Sequence, residues 1–208
     1  MEVIKLSEYD RRHLETQKIA LKCYDSITES ERLFLYWLSI PYLMFRQKLD
    51  RFTKRFFALY CQEQCFVTGR SACCGFESIM VFFADEIINL LWGDRSQGVN
   101  LINRLAQGNK TSSHCVFLGN GGCLWGVRPI SCAMFFCDEA KKQIFAKYPN
   151  AEIEWNELLK EEKNFTWPDK PILFDVIERF FIRKGFYSPH MHFHFSPGLR
   201  RIKEKSGI

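Results

Sequence analysis

Eight of the nine cysteines fall between Cys61 and Cys137, little more than a third of a 208-residue chain. Core thiols scattered by chance do not crowd like this. The segment therefore either cross-links itself or gathers its sulfurs round a metal, and the compartment decides which. The N-terminus, MEVIKLSEYDRRHLETQKIA, has no apolar core of ~7–15 residues behind a basic start and no small-residue cleavage site. The expectation is a cytoplasmic protein whose thiols stay reduced, and metal ligation is then the leading explanation of the cluster.

Hydrophobic residues make up 47% and charged residues 25% of the chain, which excludes a disordered or fibrous protein. There is no internal repeat and no low-complexity linker. Residues 1–208 read as a single domain: helical over 1–60, cysteine-bearing over 61–137, and helical again over 138–208 with a basic tail. The most apolar stretch, Leu33 to Phe45, has 13 residues, whereas a membrane span needs ~20. It reads as a buried core helix with a bend near Pro41. The net charge of +5 is local: Arg46 to Arg55 carries five positive charges against one negative, and Arg200 to Lys205 four against one. No nucleic-acid-binding motif accompanies these runs. They read as a solvated helix face and a soluble terminus, and nucleic acid is not an expected partner.

Periodicity predicts helices over Asp85–Trp92, with acids in the first turn and Gly93 beyond the end, and over Val99–Ala106. Two more are predicted at Asp138–Lys147 and Ala151–Lys163. A last one follows Asp169 as N-cap and Pro171 in the first turn, presents Ile172, Leu173, Val176, Ile177 and Phe180 as a stripe, and closes at Gly185. The segment His114–Trp125, HCVFLGNGGCLW, has the halves and the Asn-Gly-Gly turn of a hairpin. The fold class is mainly α: a helical domain with an irregular cysteine-rich, metal-binding insert carrying a small β-hairpin.

In order, the cysteines are Cys61-x-x-x-Cys65, Cys73-Cys74, Cys115, Cys123, Cys132 and Cys137. Thiolates suit zinc or an iron–sulfur cluster, because both accept four sulfur ligands. The side chains of Cys73 and Cys74 diverge on regular backbone. Either a kink at Gly75 turns both toward one centre, or one ligates and the other packs. Cys115 and Cys123 lie on opposite hairpin arms, where they would form a two-sulfur knuckle, and Cys132 and Cys137 follow at helix-like spacing. Eight sulfurs serve one four-sulfur site with spares, or two such sites. Cys23, alone in a helical segment, reads as a small buried hydrophobe. Arg128 has a planar fork suited to cluster sulfurs or an anionic substrate, or to a salt bridge bracing the turn before Pro129.

This pattern resembles the CxxCxxCC family of zinc- or iron-chelating proteins (YkgJ-like), whose cysteine module also occurs in flagellin lysine N-methylases. Cys61, Cys65, Cys73 and Cys74 stand for the first block. The second is similar to Cys115-Val-Phe-Leu118, Gly122-Cys123-Leu-Trp125 and Arg128-Pro129-Ile-Ser-Cys132, with Cys137 as the closing cysteine. Glu86 resembles the acidic residue that opens the helix between the blocks. The first block departs from the family, with three residues between Cys61 and Cys65 where the family has two. The resemblance implies a bound metal centre but no general reaction.

The run Ser188–Phe195 alternates His190, His192 and His194 with Met191, Phe193 and Phe195. On an extended strand the three imidazoles share one face, where they either bind metal or form the polar side of an edge strand. The 20 phenylalanines recur as the pairs Phe56-Phe57, Phe82-Phe83, Phe135-Phe136 and Phe180-Phe181, the pattern of an aromatic core. Hydrolase, P-loop and dinucleotide motifs are missing. Two function classes stay open: a metal-dependent redox or protein-modifying role, and a structural, zinc-stapled module that binds a protein partner.

Overall fold

Two long N-terminal helices frame the molecule. In the computed structural model, which describes residues 6–70, 73–75, 80–107, 114–166 and 172–191, α1 (Glu8–Ser26) begins where the Ser7 hydroxyl accepts the Asp10 N–H at 3.0 Å. The second helix, α2 (Glu29–Phe52), opens on a capping box: Thr28 Oγ1 accepts the Glu31 N–H, and the Glu31 carboxylate accepts the Thr28 N–H. The cap and the box satisfy donors a helix start would leave orphaned. Helix continues past Phe52 through a π-helical turn (Thr53–Phe57), the short α3 (Ala58–Cys61) and a second π-helical turn (Gln62–Phe66).

The remaining elements are α4 (Phe83–Trp92), α5 (Arg95–Ala106), a hairpin of β1 (Leu118–Gly119) and β2 (Gly122–Cys123), α6 (Ile130–Ala133), α7 (Asp138–Lys147), α8 (Pro149–Thr166) and α9 (Leu173–Arg183). The described chain is mainly α, as its periodicity predicts. The bounds of α7 are the predicted ones. The fifth helix starts at Arg95 rather than Val99, because Asp94 caps it by accepting the Gln97 N–H at 2.8 Å. The eighth starts two residues early at Pro149, a residue preset for a first turn. Asp169 and Pro171 lie outside the described residues, but Gly185 closes α9 at φ +84°. There the Phe186 N–H reaches Phe181 O at 3.1 Å and the Gly185 N–H reaches Ile182 O at 2.9 Å, a Schellman closure.

The central element is α4, buried from Phe83 to Leu91 on every side, with α1, α2, α5 and α9 packed round it. The fifth helix lies close because Gly98 has no side chain; a β-carbon there would stand 2.5 Å from Leu90 Cδ2. The main core is aromatic: Phe57 stacks on Phe136 at 3.8 Å, Phe52 on Trp155 at 5.7 Å, and Phe83 meets Phe181 edge-on at 5.8 Å. Each ring fully withdrawn from water contributes roughly 1.5–3 kcal/mol. Phe135 is the exposed member of its pair. A smaller core of Val81, Leu101, Leu105, Cys115, Val116, Phe117 and Trp125 lies under the hairpin.

Two expectations change. The run Leu33–Phe45 is a buried helix on one side only: Leu35, Tyr42 and Phe45 are in the core, whereas Leu33, Phe34, Trp37 and Met44 are exposed, Trp37 by 67%. Only one face of α2 meets α4, α8 and α9. The basic run Arg46–Arg55 is not merely solvated. It lies against acidic α8, with Lys48 2.8 Å from Glu161 and Arg55 3.8 Å from Glu154. The basic tail 200–205 lies outside the described residues. No described helix is long and apolar enough to cross a membrane.

Candidate metal centre

The second cysteine block is fastened from behind by polar side chains of α4 and α2. Asp85 Oδ1 accepts the Ile130 N–H at 3.0 Å, and its Oδ2 accepts the Phe82 N–H at 3.1 Å. Asn89 Oδ1 accepts the Val127 N–H at 2.9 Å. Arg46, itself buried, donates to the Arg128 carbonyl at 2.6 Å and to Tyr42 Oη at 3.0 Å. Backbone groups of residues 127, 128 and 130 thus each have a partner on the core, and Pro129 has no N–H to satisfy. Ser131 Oγ adds a bond to Met80 O. Burial pushes the Asp85 carboxyl up to about 7, against the two amides and Arg46, which favour its charged form.

The frame holds the thiols on separate elements. Cys61 ends α3, Cys65 sits in the second π-helical turn, Cys132 in α6, and Cys137 at the N-cap of α7. Cys132 and Cys137 are therefore not on one helix, because α6 ends at Ala133. The Cys115 N–H donates to Cys74 O at 2.6 Å, and Gly75 bridges His114 beside it. That pairing ties the two cysteine blocks together. In the hairpin, Cys123 is opposite Leu118, not Cys115, so any knuckle these two form comes from the bend of the chain and not from a ladder pair. None of the nine cysteines is in a disulfide.

The thiols influence one another in two sets. Burial pushes Cys61 up to about 11, helped by Cys73, Cys137 and Cys65. The bond to Cys73, then burial, raises Cys74, with Cys115 and Cys123 adding to it. Burial takes Cys115 to about 11 and Cys132 to about 12; Cys123 acts on both. Cys61, Cys65, Cys73 and Cys137 form one neighbourhood, and Cys74, Cys115, Cys123 and Cys132 the other. The thiols of Cys73 and Cys74 do not diverge as regular backbone predicts; they bond to each other, so the two neighbourhoods meet at that contact. Cys73 is lowered by its bond to Cys74, with the Arg128 guanidinium assisting, and Arg128 also favours the thiolate of Cys123. Arg128 meets Asp50 at 3.5 Å as well, so its salt bridge and its nearness to the thiols coexist. Cys23 is fully buried in the core, and burial raises its thiol to about 12.

A second group was not foreseen as a unit. Among the described residues, His13, Glu86 and His190 are the group whose ligand atoms all lie within 4.8 Å of one another; no three cysteine sulfurs approach so closely. His190 is in a turn after α9, not on a strand, since its segment bends back at Ser188–Met191. His192 and His194 lie outside the described residues. Burial pushes His13 down to about 4 and His190 to about 3, so both rings are neutral, and burial raises Glu86. The available signal was Glu86 itself, a carboxylate inside the apolar run DEIINLLW. Compared with family models, curated proteins and solved structures, the chain matches none.

Proposed function

We propose that the segment from Cys61 to Cys137 holds a cysteine-ligated iron–sulfur cluster or zinc in a cytoplasmic protein. The observation that carries this reading is the joining of the two cysteine blocks: the Cys115 N–H donates to Cys74 O at 2.6 Å, and the thiols from Cys61 to Cys132 lie near enough to influence one another. Four thiolates are the full donor set for either centre. Zinc, with Zn–S bonds of ~2.3 Å, draws its sulfurs to ~3.8 Å from one another. The resemblance to the CxxCxxCC family of zinc- or iron-chelating proteins supports a bound metal centre of either kind.

Such a cluster, when bound, supplies one-electron chemistry or a rigid cross-link. The chain's own residues supply the setting. Asp85, Asn89 and Arg46 hold the backbone that presents Cys132, and Arg128 places a cation beside Cys73 and Cys123. Arg128, partly exposed, also offers its planar fork to an anionic group of a substrate.

The test is anaerobic purification followed by measurement of iron, acid-labile sulfide and zinc, with an absorption spectrum. Iron and sulfide in equal amounts with broad visible absorption are expected. Zinc alone, without colour, selects the structural module. Substoichiometric metal with all nine thiols titrating free overturns the reading.

A further inference from the structure

The cysteine reading leaves the buried group of His13, Glu86 and His190 unused. These residues come from three distant places: α1, α4 and the turn after α9. His190 Nδ1 lies 3.5 Å from Glu86 Oε1, and the two imidazole rings meet edge-on with centroids 4.5 Å apart. All three side chains are buried, Glu86 with 1% of its surface exposed. Among the described residues neither oxygen of the Glu86 carboxyl has a hydrogen-bond partner, and neither has His13 Nδ1. A buried polar group without a partner costs on the order of 1–3 kcal/mol, and a fold does not assemble several at one point without a reason.

We infer that His13, Glu86 and His190 form a mononuclear site for a divalent transition-metal ion, separate from the thiols. Two imidazoles and one carboxylate are the donor set of hydrolytic zinc and of non-haem iron(II). The three ligand atoms lie within 4.8 Å of one another, so a small inward movement brings them to the ~3.3–3.6 Å that tetrahedral bonds of ~2.0–2.2 Å require. Both imidazoles are neutral, the form that ligates. An ion there satisfies the orphaned oxygens of Glu86 and clamps the segment after α9 to α1 and α4. A tetrahedral ion takes one further donor, which leaves room for water or a small anionic ligand. Tyr9 lies tilted against His13 with ring centroids 4.2 Å apart, and Phe117 lies 6.2 Å from it, which gives the ion an aromatic flank.

The experiment uses the full chain as purified anaerobically, dialysed free of loose metal, with Co²⁺ and Zn²⁺ as probes. The readouts are the cobalt spectrum and the thermal midpoint. The difference between the parent and Glu86→Gln isolates this site whether or not the thiols hold metal. Expected in that difference are d–d bands for one equivalent of cobalt without a thiolate charge-transfer band. Zinc at ~100 times its Kd should raise the parent's Tm by about 5–10 °C and leave Glu86→Gln unshifted. Loss of a ligand should weaken binding by more than the roughly 10–100-fold typical of an outer hydrogen-bonding partner. Glutamine matches the uncharged carboxyl in shape, so the variant should fold; His190→Gln, checked by circular dichroism, gives the same reading independently. Equal cobalt spectra and equal zinc shifts in parent and variants overturn the site. So does a difference spectrum dominated by thiolate charge transfer. Neither result touches the iron and sulfide content that tests the cysteine centre.

Discussion

Replacing Asp85 by alanine should uncouple the Arg-Pro block from the core. The carboxylate accepts two backbone N–H groups, of Phe82 at 3.1 Å and Ile130 at 3.0 Å, in a site with almost no water. Each stranded buried amide costs ~1–3 kcal/mol, so the pair costs roughly 2–6 kcal/mol. For a chain of this size that is a fall in Tm of about 5–20 °C. A pH signature accompanies it. Burial raises the folded-state carboxyl from 3.8 to about 7, so the folded chain holds this proton more tightly than the unfolded one. Its contribution to stability is full below the unfolded value and is lost as pH rises through about 7, some ~4 kcal/mol in all. Asp85→Asn cannot titrate and should lack that slope. Thermal unfolding of the parent and both variants between acid and neutral pH is the assay. An alanine variant within about 2 °C of the parent, or an asparagine variant with the parent's pH dependence, would refute the clamp.

Other expectations follow from single features. Gly185→Ala forces a β-carbon into φ +84° with no steric contact nearby, so the cost is backbone strain alone, ~1–2 kcal/mol, read as a Tm lower by a few degrees. Phe57→Ala removes the ring stacked on Phe136 and should cost ~3–5 kcal/mol in denaturant unfolding. Cys23→Ala should leave the metal content unchanged, since its thiol is in the hydrophobic core. Cys73→Ser and Cys74→Ser should each lower the metal content of a different set of four thiols; identical spectra from the two variants would count against two neighbourhoods.

What was legible in the sequence was local. Helices with local end signals, such as the first-turn acids of α7 and Gly185 at the end of α9, can be read within a few residues. The phenylalanine pairs announced an aromatic core because their number left few other places to put them. What escaped was long-range. Asp85 and Asn89 read as ordinary helix polars, since the amides they accept belong to Ile130 and Val127, far along the chain. His190 was visible as a histidine but not as a partner of His13 and Glu86, because no spacing connects α1, α4 and the turn after α9. The cysteines were visible as a crowd; their division depends on where the hairpin bend and the α6–α7 break place Cys123, Cys132 and Cys137.

The π-helical turn Gln62–Phe66 has one more consequence. Its closing bond, Val67 N–H to Gln62 O at 2.9 Å, spans five residues instead of four, so the turn is an α turn with a single residue added. The same turn carries all three residues between Cys61 and Cys65. Deleting one of Gln62, Glu63 or Gln64 should therefore return the segment to α-helix with Cys61 and Cys65 one residue closer in sequence, which makes helix winding the element that sets how far apart these two thiols stand.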